Sequence, residues 1–268
     1  MRTIAHISDV HFGTENPAAV EGLLSDLQAI RPNLVVVSGD LTQRARRSEF
    51  AAARAFLERI PFPKLVVPGN HDIPLYDVGR RFLRPLHRFR RYITPDLAPL
   101  YVDDEMAVLG INTARSATWK NGRISTEQIR NLKELLCPLP PNLFRVIVTH
   151  HPFLPPPNLP MPALVGRGPM ALQMLQACGA DLLLAGHLHV GYSGDMRSYD
   201  VKVKRSILVA QAGTALSSRR RGEANAYNKI TIEQARVTID VRQWDGSKFI
   251  SKVATRYAKI GDEWKIDL

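Results

Sequence analysis

Cysteine, aromatic side chains and long apolar runs are all scarce in this chain, and each scarcity narrows what it can be. Only Cys137 and Cys178 occur in 268 residues, which excludes a scaffold stapled by several disulfides. The longest apolar runs, in Leu34–Ser38 and Asp181–Ala185, fall well short of the ~20 residues that cross a bilayer. Thr3–Ser8 already reads as a strand, with no apolar leader and cleavage site after it, so the chain is expected to be cytoplasmic. Aromatics are 7% of the residues, few for a stacking platform along a nucleic-acid strand. Acidic residues are also in deficit, 25 against 36 basic, for a net charge of +11. Such an excess favours anionic partners and carries no information about fold. With 45% hydrophobic and 23% charged residues, disorder, collagen and coiled coil are excluded.

The first two-thirds alternates short apolar runs with amphipathic stretches. Strands are expected at Thr3–Ser8, Leu34–Ser38, Lys64–Val67, Met106–Ile111, Arg145–Thr149 and Asp181–Ala185. Asn16-Pro17 forms a helix start, followed by a stripe of Val20, Leu23, Leu24, Leu27 and Ile30. Phe50, Phe56, Leu57 and Ile60 mark a second helix, and Ser125 with Gln128 makes a capping box for another. A further helix is expected at Met170–Ala177. This alternation predicts an α/β fold with a substantially parallel sheet. Ser206–Gln211, Tyr227–Ile232 and Val237–Trp244 alternate with period two, which predicts antiparallel strands forming a second sheet in the same core. No linker divides the chain, so residues 1–268 are expected to form a single domain, with 206–268 as its β-rich part.

Two segments break the rhythm. Residues 73–99 interleave Arg80, Arg81, Arg84, His87, Arg88, Arg90 and Arg91 with Phe82, Leu83, Leu86, Phe89 and Tyr92. They read either as a surface helix with solvated arginines or as a small basic cap leaning over a phosphate-handling cleft. Pro152–Pro169 is proline-rich and is expected to be a stiff irregular loop.

The chemistry sits just after the strands. Thr3–Ser8 is followed by Asp9-Val10-His11, Leu34–Ser38 by Gly39-Asp40, and Lys64–Val67 by Pro68 and Gly69-Asn70-His71-Asp72. Arg145–Thr149 is followed by His150-His151-Pro152, and Asp181–Ala185 by Gly186-His187-Leu188-His189. The carboxyl ends of parallel strands share one edge, where open α/β folds place ligands. Carboxylates, an amide and several imidazoles would therefore meet on one rim. A lone Asp after a strand is usually a helix cap, and a lone His there is seldom a ligand. Five segments doing so together point to metal. Oxygen donors mixed with imidazole suit Mn, Fe, Zn or Ni, and no thiolate is offered. The set exceeds what one ion needs, so two ions sharing a carboxylate are expected, as in phosphoryl displacement.

In order and spacing over residues 3–189, these motifs resemble the calcineurin-like metallophosphoesterase superfamily. Closer up the chain resembles its bacterial branch of class III cyclic nucleotide phosphodiesterases and glycerophosphodiesterases. The resemblance implies a four-layered α/β/β/α sandwich. It implies that Asp9, His11, Asp40 and His189 hold a first metal, and that Asp40 bridges to a second completed by Asn70, His150 and His187. His71 is implied to face the phosphate and protonate the leaving oxygen, with Asp72 orienting it. His150 is preferred to His151 as the first His beyond the strand. The implied reaction is hydrolysis of a phosphodiester by a metal-bridging hydroxide attacking phosphorus in line. The substrate is expected to be small, a cyclic nucleotide or a glycerophosphodiester or phospholipid headgroup, and homodimers are frequent in the branch.

Arg44, Asn112 and His151 are weaker candidates for contacting substrate. Gln43 stands where protein phosphatases of the superfamily carry a second aspartate, which argues against that activity. His6 is expected in the core or behind the metal ligands, and Ser217–Arg221 as a solvated basic loop. The Arg80–Arg91 segment leaves room for nucleic acid or anionic lipid. A nuclease, a phosphomonoesterase or pyrophosphatase, and a non-catalytic interaction module are the alternatives on the same residues.

Overall fold

A computed structural model describes residues 1–156, 164–196, 206–218 and 222–267. In chain order it begins β1 (Arg2–Ile7), α1 (Pro17–Ile30), β2 (Leu34–Ser38), α2 (Arg47–Glu58) and β3 (Lys64–Val67). A single 3-10 turn, Asn70–Asp72, precedes α3 (Val78–Leu83) and α4 (His87–Tyr92). Next come β4 (Leu100–Val102), β5 (Met106–Ile111), α5 (Thr126–Leu136), β6 (Phe144–Thr149), α6 (Gly168–Ala177) and β7 (Leu182–Ala185). The chain continues with β8 (Tyr192–Asp195), β9 (Leu208–Gln211), β10 (Ala226–Glu233), β11 (Arg236–Trp244), β12 (Phe249–Ile260) and β13 (Glu263–Ile266).

These strands form two sheets, ordered β13-β12-β11-β10-β1-β2-β3 and β4-β5-β6-β7-β9-β8. Strand periodicity assigns each residue to a layer. Ile4, Leu34, Val36, Leu65 and Val67 point inward against Met106, Val108, Val146, Val148, Leu182 and Leu184, making the core between the sheets. Their neighbours Ala5, Ile7, Val35 and Val37 point outward and pack with Leu23, Leu27, Phe50 and Phe56 of α1 and α2. On the other side Ile147, Leu183 and Val209 pack under Leu132 and Leu136 of α5 and Leu172 and Leu175 of α6. The result is the expected α/β/β/α sandwich. Its helix starts are built as the sequence predicts. Asn16 Oδ1 accepts the Ala18 and Ala19 amides at 3.0 and 3.4 Å. Ser125 and Gln128 exchange two bonds of 3.0 Å.

Two expectations need correction, and the cysteines add a bond that the sequence did not announce. Of the three C-terminal runs only the first, β9, joins the second sheet, and there it runs parallel to β7; β10 pairs antiparallel with β1 and carries β11 to β13 onto the first sheet. Period-two alternation fixes which face of a strand is apolar, and leaves its partner open. The second sheet instead has β5, β6, β7 and β9 in parallel at its centre. The motif-bearing strands thus divide between the two sheets, β1 to β3 in one and β6 and β7 in the other. Their polar rims meet because both sheets end on the same side.

The two cysteines, too few for a scaffold, are nonetheless bonded to each other. Cys137 caps α5 and Cys178 caps α6, neighbours in the outer helical layer, with Cα atoms 4.5 Å apart. A bond of this kind is rare in a reducing cytosol, and the cytoplasmic expectation draws no support from it. No helix among the described residues is long and apolar enough to cross a membrane.

Finally, the arginine-rich segment is two short helices rather than one. Leu86 and Phe89 anchor it in the outer core beside Ile73. Arg81 is buried, 1% exposed, and donates to the carbonyls of Pro74, Ser116 and Thr118 at 2.9 to 3.0 Å. It therefore clasps α3 to the 116–118 turn. The proline-rich loop and the Ser217–Arg221 loop fall partly outside the described residues.

Candidate metal centre

The rim is assembled by main-chain bonds that zip the post-strand loops together. Asp9, His11 and Phe12 donate their amides to the carbonyls of Gly39, Asp40 and Leu41 at 3.2, 3.0 and 2.8 Å. Gly186 donates to His150 across the second sheet at 3.0 Å. Side chains aimed at one point demand unusual backbone: Asp9, His11, Asp40, His187 and His189 all have positive φ, between 45° and 73°. Five non-glycine residues in that region on one rim mark strain held in place by the surrounding fold. Gly39 (φ 95°) is required twice over, since a Cβ there would also lie 2.6 Å from His150 Nδ1.

Each carboxylate divides its oxygens between the protein and the centre. Asp9 Oδ2 accepts from Ser8 Oγ at 2.6 Å and from the His187 amide at 3.0 Å. Its Oδ1 is buried with no hydrogen-bond partner, 3.6 Å from His11 Nε2 and 3.4 Å from His189 Nε2. Asp40 Oδ1 accepts the His71 amide at 2.8 Å. Its Oδ2 lies 3.7 Å from His11 Nε2 and 3.3 Å from His150 Nε2. The imidazoles are turned by their other nitrogens. His150 Nδ1 faces the Ser38 carbonyl at 2.8 Å, His11 Nδ1 the Thr42 carbonyl at 3.3 Å and His189 Nδ1 the Thr214 hydroxyl at 2.6 Å. With Nδ1 donating, each ring turns its Nε2 inward, where a cation would take the place of that nitrogen's proton. His150 Nε2 also meets Asn70 Oδ1 at 3.1 Å.

Among the described residues, ligand atoms within 4.8 Å of one another fall into three groups: Asp9, His11 and His189; Asp9, Asp40 and His150; and His150, His151 and His187. A buried carboxylate oxygen without a partner, ringed by imidazole nitrogens, is what a cation would satisfy, so the donor set fits metal. The electrostatics agree. Asp40 resists burial and stays well below the usual carboxylate range because of the charges of His150 and His71. His150, against its own burial, is pushed up to about 9 by Asp40 and Asp9. His187 is lowered to about 3 by burial and by His150.

The remaining candidates separate by position. His71 is half-buried beside His11 with ring centroids 4.9 Å apart, and its Nδ1 meets the Gln43 carbonyl at 2.9 Å. Asp72 is fully buried and accepts the amides of Leu41, Thr42 and Gly69 together with the Thr42 hydroxyl. That hydroxyl also donates to the His71 carbonyl, so Asp72 acts on His71 through the loop that carries it. Burial and the charge of Asp40 raise Asp72 to about 6. His151 is wholly buried, its ring 4.5 Å from that of His187 and its Nδ1 2.8 Å from Thr113 Oγ1, a placement behind the rim. Asn112 is 7% exposed and its Oδ1 accepts the Ala114 amide at 2.9 Å, closing a turn at the end of β5. Arg44 is half-buried with its guanidinium 5.4 Å from the Tyr76 ring. His6 is in the core, 2.9 Å from Ser38 Oγ.

Ser8 and Thr214 were not singled out in the sequence. Ser8 directly precedes Asp9, which is a signal of a kind. Thr214 lies far beyond His189 in a stretch with no motif, and only the fold brings it to the ring.

Two packed sheets with a carboxylate-imidazole rim at their common end define a metallophosphoesterase fold. The calcineurin-like phosphoesterase family model matches residues 2–191, and the chain belongs to that family. It is 32% identical over 144 residues to the glycerophosphodiester phosphodiesterase GpdQ of Enterobacter lignolyticus, covering 46% of this chain and 51% of that protein. It is 28% identical over 81 residues to a probable cyclic nucleotide phosphodiesterase of Synechococcus, covering 27% of this chain and 32% of that one. The matches therefore span about half or less of these relatives. Among solved structures, the yellow lupin purple acid phosphatase PPD1 shares the fold with a TM-score of 0.68 at 13% identity, over 97% of this chain and 54% of that one. A dimetal phosphatase from Danio rerio does so with a TM-score of 0.66 at 15% identity, over 90% and 96%.

Proposed function

We propose that the chain hydrolyses small phosphodiesters with two metal ions. The observation that carries this reading is Asp40 Oδ2, which lies 3.7 Å from His11 Nε2 and 3.3 Å from His150 Nε2, imidazoles that belong to different groups of ligand atoms. In this reading Asp9, His11, Asp40 and His189 hold one ion, and Asp40, Asn70, His150 and His187 the other. Bound ions of Mn, Fe or Zn would supply Lewis acidity and an activated water. The protein's own part is to fix the ligand carboxylates by one oxygen each and to turn each Nε2 inward, where a bound cation would displace its proton. His71, with Nδ1 on the Gln43 carbonyl, keeps Nε2 to give a proton to the leaving alkoxide. Asp72 and Thr42 hold the loop that sets its direction. The two relatives are by name a glycerophosphodiester phosphodiesterase and a probable cyclic nucleotide phosphodiesterase, which supports a small diester here.

Turnover of bis(p-nitrophenyl) phosphate and p-nitrophenyl phosphate by metal-reconstituted protein tests the reading. The diester is expected to be the better substrate by kcat/KM. A preference for the monoester would replace the diesterase with a phosphomonoesterase on the same residues.

A further inference from the structure

A groove of about 420 Å3 opens between α3 and α4 on one side and the turn after β5 on the other. Its floor is apolar: Ile73, Leu86 and Ala114 are all at most 7% exposed. Its rim is basic, with Arg84, His87, Arg90 and Arg115, and no carboxylate lines it. Arg115 spends its donors on the carbonyls of Asn112 and Ala114 and on Gln128 Oε1, all neutral acceptors. Other surface cavities differ in this respect. The one beside α1 holds Asp26 paired to Arg242 at 2.6 Å, and the one beneath α4 includes Glu58.

The groove begins where the catalytic rim ends. Ile73 directly follows Asp72, and Asn112 directly follows β5, the neighbour of the strand before His150. Its two walls are held at fixed separation by Arg81, whose guanidinium donates to Pro74 on one side and to Ser116 and Thr118 on the other. A groove already shaped in this way loses little on binding to ordering its own walls. The volume suits a small organic molecule. Guanidinium forks match phosphate, and a cationic group such as choline meets only like charge there.

We infer that this groove takes a second phosphate, carried on one of the two alcohols of the diester, so that the enzyme prefers phosphorylated diesters to neutral or cationic ones. The inference rests on the hydrolase reading and names its substrate class. A matched pair of chromogenic substrates tests it: thymidine 5′-(p-nitrophenyl phosphate) with and without a 3′-phosphate. Wild type is expected to show a KM about tenfold lower for the phosphorylated member, shrinking with salt as exposed charges are screened. Arg84→Gln with Arg90→Gln, both exposed positions, is expected to abolish that difference and leave bis(p-nitrophenyl) phosphate turnover unchanged. Equal KM values in wild type, or a difference that survives in the double variant, overturns the subsite. If no diester is hydrolysed, the hydrolase reading fails, and calorimetry with thymidine 3′,5′-bisphosphate still decides the groove. Binding lost in the double variant supports it; equal or absent binding overturns it. Arginine-dependent sedimentation with phosphatidylglycerol vesicles, without discrimination of the soluble pair, would also overturn it, by assigning the arginines to a membrane surface.

Discussion

Asp40 Oδ2 stands 3.3 Å from His150 Nε2, although the two residues follow strands of different sheets. The contact is where the two halves of the sandwich meet chemically. In the proposed reading Asp40 is the carboxylate facing an imidazole of each ion's ligand set, His11 for one and His150 for the other. Asp40→Ala should therefore release both ions, whereas a ligand of one group, such as His189, should cost chiefly one. Metal content of the purified variants checks this, with turnover expected to fall by at least about 10³-fold for Asp40→Ala. Retention of two ions per chain would show that Asp40 is not shared.

His71 is expected to matter for rate and not for metal. Its side chain is anchored on a main-chain carbonyl and stands edge-on to His11. His71→Ala should keep the metal content and lose roughly 10²- to 10⁴-fold in kcat on diesters with poor leaving groups. The loss should shrink for p-nitrophenyl esters, whose leaving group hardly needs a proton. A loss independent of leaving group would reassign His71 to phosphate binding.

Much of this centre could be read in the sequence because each polar cluster directly follows an apolar strand. Asp9 and His11 after β1, or His187 and His189 after β7, need only the strand direction to reach the rim. The α/β class followed from the same alternation, while the four-layered sandwich came with the family resemblance. What escaped was long-range pairing. The residues of β10 announce two faces and no partner, so their place beside β1 was out of reach. Thr214 was invisible for the same reason, as its role depends on proximity to His189 and not on spacing. Arg81 looked like one more surface arginine. Its burial follows from three carbonyls converging from separate loops, which no local pattern records.

The disulfide is expected to stabilise the second helical layer. It closes a loop of 41 residues between the ends of α5 and α6, which include β6 and the His150 rim. Losing such a link destabilises a protein by about 2–4 kcal/mol. Cys137→Ser, and wild type with a thiol reductant, should both melt at lower temperature and to a similar degree. A reductant that lowers the melting temperature of Cys137→Ser equally would place the effect outside this bond.

Acid should weaken the fold through a histidine that binds no metal in this reading. His6 is fully buried against Ser38 and Asn228. Burial, opposed by the charge of Asp9, lowers its pKa to about 3. In the unfolded chain the same imidazole takes a proton near its ordinary value of about 6.5. Between those limits the unfolded state binds the extra proton, so stability must fall as pH falls. The slope from one such group is about 1.4 kcal/mol per pH unit. His6→Gln keeps a polar side chain of similar reach and removes the titration. Urea unfolding of metal-free protein at pH 4, 5 and 6 should therefore give a shallower pH dependence for His6→Gln, by about one proton. The other buried imidazoles titrate in both proteins and cancel in the comparison. Identical slopes would mean that His6 accepts its proton within the folded chain, with Asp9 close enough to outweigh its burial.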